Sequence, residues 1–366
     1  MKVGIVTLHN ALNAGAVLQA YALQTFLSQL GHQIEFINYN PIRKYSFRDY
    51  IAKSPLVMFN KWRNIFYGKR YSKQSNFNKV LSLSSKTYMS YEDLVSRPMD
   101  YDLYIAGSDQ IWNFYTSLSP IYLLDFVPTN KKKIAYAASM GQCRIDKSLY
   151  TAFKDKLMRF EAISLREKNG VDFANSLLKG EKQAIQAVDP TLLNDASIYD
   201  QIIEKIETGN KPYICTYILA ELDQENADII SYIKTKIGLD ILNIRNPDTC
   251  IHLHKAKNKI VTPYQWLYAV KNSEFVICSS FHAVVFSLIF HKPFVALVPP
   301  DHKNKGGNMR INTLLEDVGL LNRIIPHFDT EKINQTINSP INWDEIDRRI
   351  KCLRKPSINF LKSNLN

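Results

Sequence analysis

The chain has 366 residues, 46% hydrophobic and 22% charged, which is ordinary for a soluble globular protein and long enough for two domains. No apolar run approaches the ~20 residues of a membrane-crossing helix, and residues 2–8 read as a strand at once, leaving no room for a leader peptide. The five cysteines (Cys143, Cys215, Cys250, Cys278 and Cys352) are odd in number and form no Cys-x-x-Cys pair, which argues against a disulfide framework or a zinc site and fits a cytoplasmic protein with reduced thiols.

After the strand at 2–8, Ala16, Ala20, Leu23, Leu27 and Leu30 recur at 4-3-4-3 spacing, a helix face that ends at Gly31. Residues 34–39 return as a strand, and this strand–helix–strand start predicts a parallel sheet with a right-handed crossover. The loop between strand and helix, His9-Asn-Ala-Leu-Asn-Ala-Gly15, is too poor in glycine for a dinucleotide fingerprint. Residues 41–86 are set apart by charge. They hold eleven Lys/Arg and one acid, Asp49, and so account for +10 of the formal net charge of +12. Nine aromatics are interleaved, with Phe59, Trp62 and Phe66 on one helical face and Lys61, Arg63, Lys69 and Arg70 around the rest. Such a segment suits an anionic membrane surface, or packs its aromatics on the host domain and solvates its charges. No nucleic-acid-binding motif accompanies it.

Further strands are expected at 103–106, 134–138, 162–165 and 187–188, with a helix over 148–161. The first of these runs into Gly107-Ser-Asp-Gln-Ile-Trp112, where Asp109 can accept a proton in a cleft, or Ser108 or Asp109 can simply cap a helix. Arg166 follows the 162–165 strand. Its planar guanidinium can hold a carboxylate or phosphate in two-point fashion, or pair with adjacent Glu167 at the surface. Asp189, before Pro190, reads as a turn former.

A polar stretch at 207–212 opens a second strand–helix set, with strands at 213–218, 240–244, 275–278 and 294–298. His252 and His254 share one side of a presumed strand, but no carboxylate or cysteine is grouped with them. Residues 299–308, rich in Gly, Pro, Lys and Asn, read as a mobile loop, and 310–320 as a helix that carries Arg310 near its start. From Trp343 onward the chain is helical in pattern. The expected architecture is α/β: two Rossmann-like domains facing across a cleft, the GT-B arrangement, with domains at 1–207 and 208–340. The tail at 341–366 would pack back on the first domain.

The most informative stretch is Val276-Ile-Cys-Ser-Ser-Phe-His-Ala-Val-Val-Phe-Ser-Leu-Ile-Phe290. A β-branched run stops at Cys278 and an apolar run of helix length starts at Ala283, so His282 falls at a strand's C-terminal end and a helix's N-terminal end. Ligands bind at that edge of an open α/β sheet, and a helix N-terminus favours an anion. Placed there, His282 can donate a proton beside a bound phosphate or carboxylate, or be a core histidine held by a carbonyl.

Together with Gly15-Ala-Val-Leu-Gln-Ala-Tyr-Ala-Leu-Gln24, Ile105-Ala-Gly-Ser-Asp-Gln-Ile-Trp112, Ile134-Ala-Tyr-Ala-Ala-Ser139, Ser164-Leu-Arg-Glu167 and Asp189-Pro-Thr-Leu192, this stretch resembles the polysaccharide pyruvyl transferase family from about residue 3 to 323. The resemblance implies an enzyme that moves pyruvyl from phosphoenolpyruvate onto hydroxyls of a glycan or lipid-linked glycan; with the cysteine usage and the basic segment, the expected location is cytoplasmic, with peripheral attachment at the inner membrane face as an option. A pyruvate ketal forms, with no metal or other cofactor. His282 would be the acid and Asp109 the base. Arg166, Ser279, Ser280 and Arg310 would bind the donor on the second domain's side, and Asn10, Asn13, Gly15, Ser108 and Gln110 the acceptor. Three positions depart from the expected pattern: Ser279 stands in place of an acid, Ala283 of a glycine and Ala14 of an aromatic. The alternatives are a GT-B glycosyltransferase using a nucleotide sugar and a non-catalytic glycan- or membrane-binding scaffold.

Overall fold

The structure, a computed structural model, describes the chain apart from residues 10–12, 41–77, 115–116, 142, 144, 209–210, 220–222, 246–252, 299–308 and 366. Asn10, His252, Cys250, the loop at 299–308 and most of the basic segment therefore lie outside the described residues.

Two all-parallel sheets account for the architecture. The first has seven strands, β1 (Lys2–Val6), β2 (Gln33–Tyr39), β3 (Leu83–Tyr88), β4 (Leu103–Ala106), β5 (Lys132–Ala138), β6 (Ala162–Leu165) and β7 (Ala184–Gln186), in the order β3-β2-β1-β4-β5-β6-β7. The second has β8 (Tyr213–Tyr217), β9 (Asp240–Arg245), β10 (Lys257–Ile260), β11 (Phe275–Cys278), β12 (Phe294–Leu297) and β13 (Ile324–Ile325), in the order β10-β9-β8-β11-β12-β13. Central strands such as β4 and β11 are buried at every residue, as a sheet covered by helices on both faces requires. The outer strands read differently. β3 (LSSKTY) and β10 (KNKI) are polar and partly exposed, and neither is anticipated from an apolar run. β7 lies at 184–186 rather than the expected 187–188.

The first helix (Ala14–Gln29) is buried along most of its length, including Gln19. It faces the helix Pro263–Lys271 of the second sheet's set. Tyr199 packs edge-on to Phe286 at 4.8 Å, and Phe286 edge-on to Trp266 at 5.4 Å. These rings belong to one apolar core that runs across both α/β units. The last helix (Trp343–Asn364) spans them as well. Trp343 stacks on His291 at 5.0 Å, while Ser357 accepts a hydrogen bond from the Val188 amide at 2.9 Å and Arg354 donates to the Leu192 carbonyl at 2.6 Å. Among the described residues no helix is long and apolar enough to cross a membrane.

Candidate active site

Because all strands of each sheet run the same way, their C-terminal ends gather on one edge. There β4 delivers Ser108 and Asp109, β6 delivers Arg166 and Glu167, β7 leads to Asp189, and β11 leads to Phe281 and His282. Arg166 is buried to 4% side-chain exposure, so a surface pairing does not describe it. Its Nη1 donates to Asp189 and its Nε to Glu167 at 3.4 Å, with Asp109 at 4.0 Å from Nη2. Burial works against the charge, but the three carboxylates outweigh it and raise the Arg166 pKa. Only Nη2 is left without a hydrogen-bond partner.

Asp189 is more than a turn former. Its Oδ1 accepts from the Thr191 amide at 3.0 Å and hydroxyl at 2.6 Å, capping the short turn Pro190–Leu192. Its Oδ2 accepts from Arg166 and from the Ser108 hydroxyl at 3.4 Å, and faces His282 Nε2 at 3.6 Å. Burial alone would raise this carboxyl; His282, Arg166 and Thr191 together hold it well below the usual carboxylate range.

His282 sits in the first turn of the helix Phe281–Ile289, whose N-cap Ser280 makes no side-chain cap bond. The imidazole is buried and its Nε2 has no hydrogen-bond partner. Gly15 explains how the ring fits. A Cβ there would lie 2.1 Å from His282 Nδ1 and 2.4 Å from Cγ, so only glycine lets the first helix approach the second domain this closely. Asn13 caps that helix, accepting from the Gly15 amide at 2.9 Å.

The other expected residues divide. Ser279 is engaged in holding the second sheet's loops, its hydroxyl accepting from the Leu219 amide at 2.9 Å and its amide donating to Tyr217. Ser108 is fully buried and also accepts from Thr7, which Gln19 in turn supports. Asp109 does not open a helix. It adopts φ 68°, bridges Ala138, and bonds its own carboxylate to the Gln110 amide at 2.9 Å, a left-handed conformation that Asp tolerates better than most residues. With its amide oxygen turned toward the guanidinium, Gln110 accepts from Arg310 Nη1 at 3.1 Å and Nη2 at 2.6 Å. Residues 253–256 form no strand, so His254 is not part of a strand-borne pair.

Phe281 was not singled out from the sequence, yet it organises the cations. The Arg166 guanidinium lies 4.5 Å and that of Arg310 5.8 Å from its ring centre. Arg310 has no carboxylate within ion-pair distance among the described residues, and its Nε lacks a partner. Burial first, then Arg166, lower its pKa, although an arginine stays charged. A cavity of about 340 Å³ opens beside this cluster, lined by Arg166, Asp189, Phe281 and Arg310 and by residues of the last helix, Arg348 and Arg349 among them.

The model of the family described as polysaccharide pyruvyl transferase matches residues 13–302. The chain belongs to the polysaccharide pyruvyl transferase family. Of the site residues, His282, Asp109, Arg166 and Asp189 lie inside the matched span, whereas Arg310 and the last helix lie beyond it. No curated protein matches the chain. Among solved structures, it is similar to the N-terminal domain of trehalose-6-phosphate phosphatase from Candida albicans (TM-score 0.51, 9% identity, 100% of this chain and 96% of that one). It is also similar to UDP-GlcNAc 2-epimerase from Neisseria meningitidis bound to UDP-GlcNAc (0.50, 10%, 99% and 100%), and to MnaA from S. aureus solved with UDP (0.50, 10%, 100% and 97%). At such identities the likeness speaks for the fold: two Rossmann-like domains facing across a cleft, as in GT-B proteins.

Proposed function

We propose that the protein transfers pyruvyl from phosphoenolpyruvate to two hydroxyls of a glycan or its lipid-linked precursor, forming a pyruvate ketal. The observation that carries this reading is Arg310, which has no ion pair among the described residues, set beside an Arg166 N–H without a hydrogen bond and beside His282. Burying a charge without a direct ion pair is costly, and a donor bearing both a carboxylate and a phosphate would offset that cost. Family membership supports the same choice of donor.

In the proposed reaction His282 delivers a proton to C3 of the enol, and positive character develops at C2. A sugar hydroxyl then adds to C2 and gives up its proton to Asp109. Phosphate, held by Arg310 and the remaining Arg166 N–H, leaves C2 with the proton that Asp109 took up, and the second hydroxyl adds to the cationic C2 and returns its proton to His282, closing the ring. Asp189 orients both His282 and Arg166 and is not itself in the reaction. The route uses phosphoenolpyruvate as co-substrate and no metal or other cofactor.

Ligand-dependent melting tests the donor. A ligand at about 100 times its Kd stabilises the folded state by about 2.7 kcal/mol, so saturating phosphoenolpyruvate should raise Tm by several degrees and UDP-sugars should not. Stabilisation by UDP-GlcNAc with none from phosphoenolpyruvate would move the assignment to a nucleotide-sugar enzyme. A response to neither would favour a non-catalytic scaffold.

A further inference from the structure

Gln110 and Arg310 come from different α/β units and meet at the cleft. Arg310 lies in the first turn of the helix Met309–Asp317, which follows β12, and Gln110 lies in the turn after β4. That turn is anchored on both sides of Gln110. The Ser139 amide donates to the Asp109 carbonyl at 3.0 Å, the Trp112 amide donates to the Ser139 carbonyl at 3.1 Å, and Trp112 is fully buried. A guanidinium has no acceptor, so the Gln110 side chain turns its carbonyl oxygen to Arg310, 3.1 Å from Nη1 and 2.6 Å from Nη2. The other terminal atom of Gln110 lies 2.7 Å from Asn113 Nδ2.

Both ends of this side chain therefore face groups that can donate, and a glutamate of the same shape would have a partner for each oxygen. The chain carries a glutamine instead. A carboxylate here would close a charge-assisted two-point pair with Arg310, whereas the amide holds the same fork and leaves its charge in place. Phe281, 5.8 Å from the guanidinium, orients it in the same way through a ring face with no net charge. Arg166, whose Nη2 has no hydrogen bond, lines the same cavity as Arg310. We propose that Gln110 is a positioning residue: it aims Arg310 from across the cleft and, being neutral, leaves that cation free to take an anionic ligand. The proposal rests on the pyruvyl-transfer reading only for the identity of the anion, phosphoenolpyruvate. It gives Gln110 a partner other than the acceptor expected from the family resemblance.

The test uses the full chain, with phosphoenolpyruvate and inorganic phosphate as probes. Gln110→Glu should raise the KM for phosphoenolpyruvate by about tenfold or more, and by more than it lowers kcat, because the ligand must now displace a carboxylate. Its melting shift with phosphoenolpyruvate should shrink to match. Gln110→Met keeps the length of the side chain but removes the acceptor, and should raise the same KM by about threefold or more. Without ligand, Gln110→Glu should change Tm more favourably in wild type than in an Arg310→Met background, by about 2 °C or more, since only the former can form the pair. An unaltered KM and melting shift in Gln110→Glu would overturn the proposal, as would equal Tm changes with and without Arg310. A residue of merely structural importance would lower Tm in both Gln110 variants and leave KM where it was. A wild type that responds to inorganic phosphate but not to phosphoenolpyruvate would instead remove the proposed donor, and the same variants read against phosphate would still decide the role of Gln110.

Discussion

On the first-domain side of the cleft, Arg166 sits among Asp189, Glu167 and Asp109; on the second-domain side, Arg310 touches an amide and an aromatic ring but no carboxylate. The same residue type thus does two jobs. Arg166 is mostly engaged in architecture, with one N–H left over, whereas Arg310 feels the same carboxylates only at a distance and has no ion pair among the described residues. Surroundings, not identity, separate the cation tied into the first domain's carboxylates from the one proposed to take an anion. His282 joins the halves: it belongs to the second domain, yet its two ring nitrogens face Asp189 and Gly15 of the first.

The largest expected effect comes from removing the group that joins them. His282→Ala should lower kcat by about 10²–10⁴, the usual loss for a general acid, with phosphoenolpyruvate still raising Tm. A near-normal kcat in folded protein would return His282 to a packing role. Next is the centre of the first-domain network. Asp189→Asn leaves Arg166 without its closest acid and should cost about 3–5 kcal/mol in urea unfolding, as expected when one partner of a buried pair is removed. The pH dependence has a definite sign. The folded Asp189 carboxyl titrates below its unfolded value of about 3.9, so its stabilisation is complete above that value and is lost as pH falls toward the folded one. The variant should therefore lose stability less steeply than wild type on acidification below about pH 4. Equal acid slopes would show that Asp189 is not the buried anion inferred from its contacts.

A smaller change tests the closeness of the two halves. Gly15→Ala adds one methyl where the His282 ring already lies, and overpacking of this kind costs about 1–3 kcal/mol. Tm should fall and kcat should fall with it, since the ring must move. An unaltered kcat would mean that the approach of the first helix does not set the position of His282. The smallest effect per residue belongs to the basic segment, if it meets an anionic membrane as its composition suggests. Changing Lys61, Arg63, Lys69 and Arg70 to Gln should weaken sedimentation with phosphatidylserine vesicles by about 1 kcal/mol per charge at low salt. Activity on a soluble acceptor should be unaltered. Vesicle binding that ignores salt would contradict an electrostatic attachment.

Much of the fold was legible because its central strands are buried on both faces and therefore appear as short β-branched runs bounded by turns, as in 103–106, 162–165 and 275–278. Edge strands escape this logic. β3 and β10 are satisfied by one neighbour and by solvent, so their sequences carry no apolar signal. Placement at strand ends was readable in the same way, which brought Asp109, Arg166 and His282 forward as candidates, while the family resemblance supplied the roles of Asp109 and His282.

What the sequence by itself determined is where the central strands fall along the chain and hence which residues stand at their C-terminal ends, since period and turn chemistry are local properties. Only the tertiary structure decided what those residues do there. Asp189 reads locally as a turn former beside a proline, but it becomes the partner of Arg166 and His282 because β7 ends next to β6 and opposite β11. Gly15 reads as part of a loop, but it is the gap into which a histidine 267 positions later in the chain is packed. Charge compensation and close approach depend on distances between segments far apart in sequence, and folding alone sets those distances.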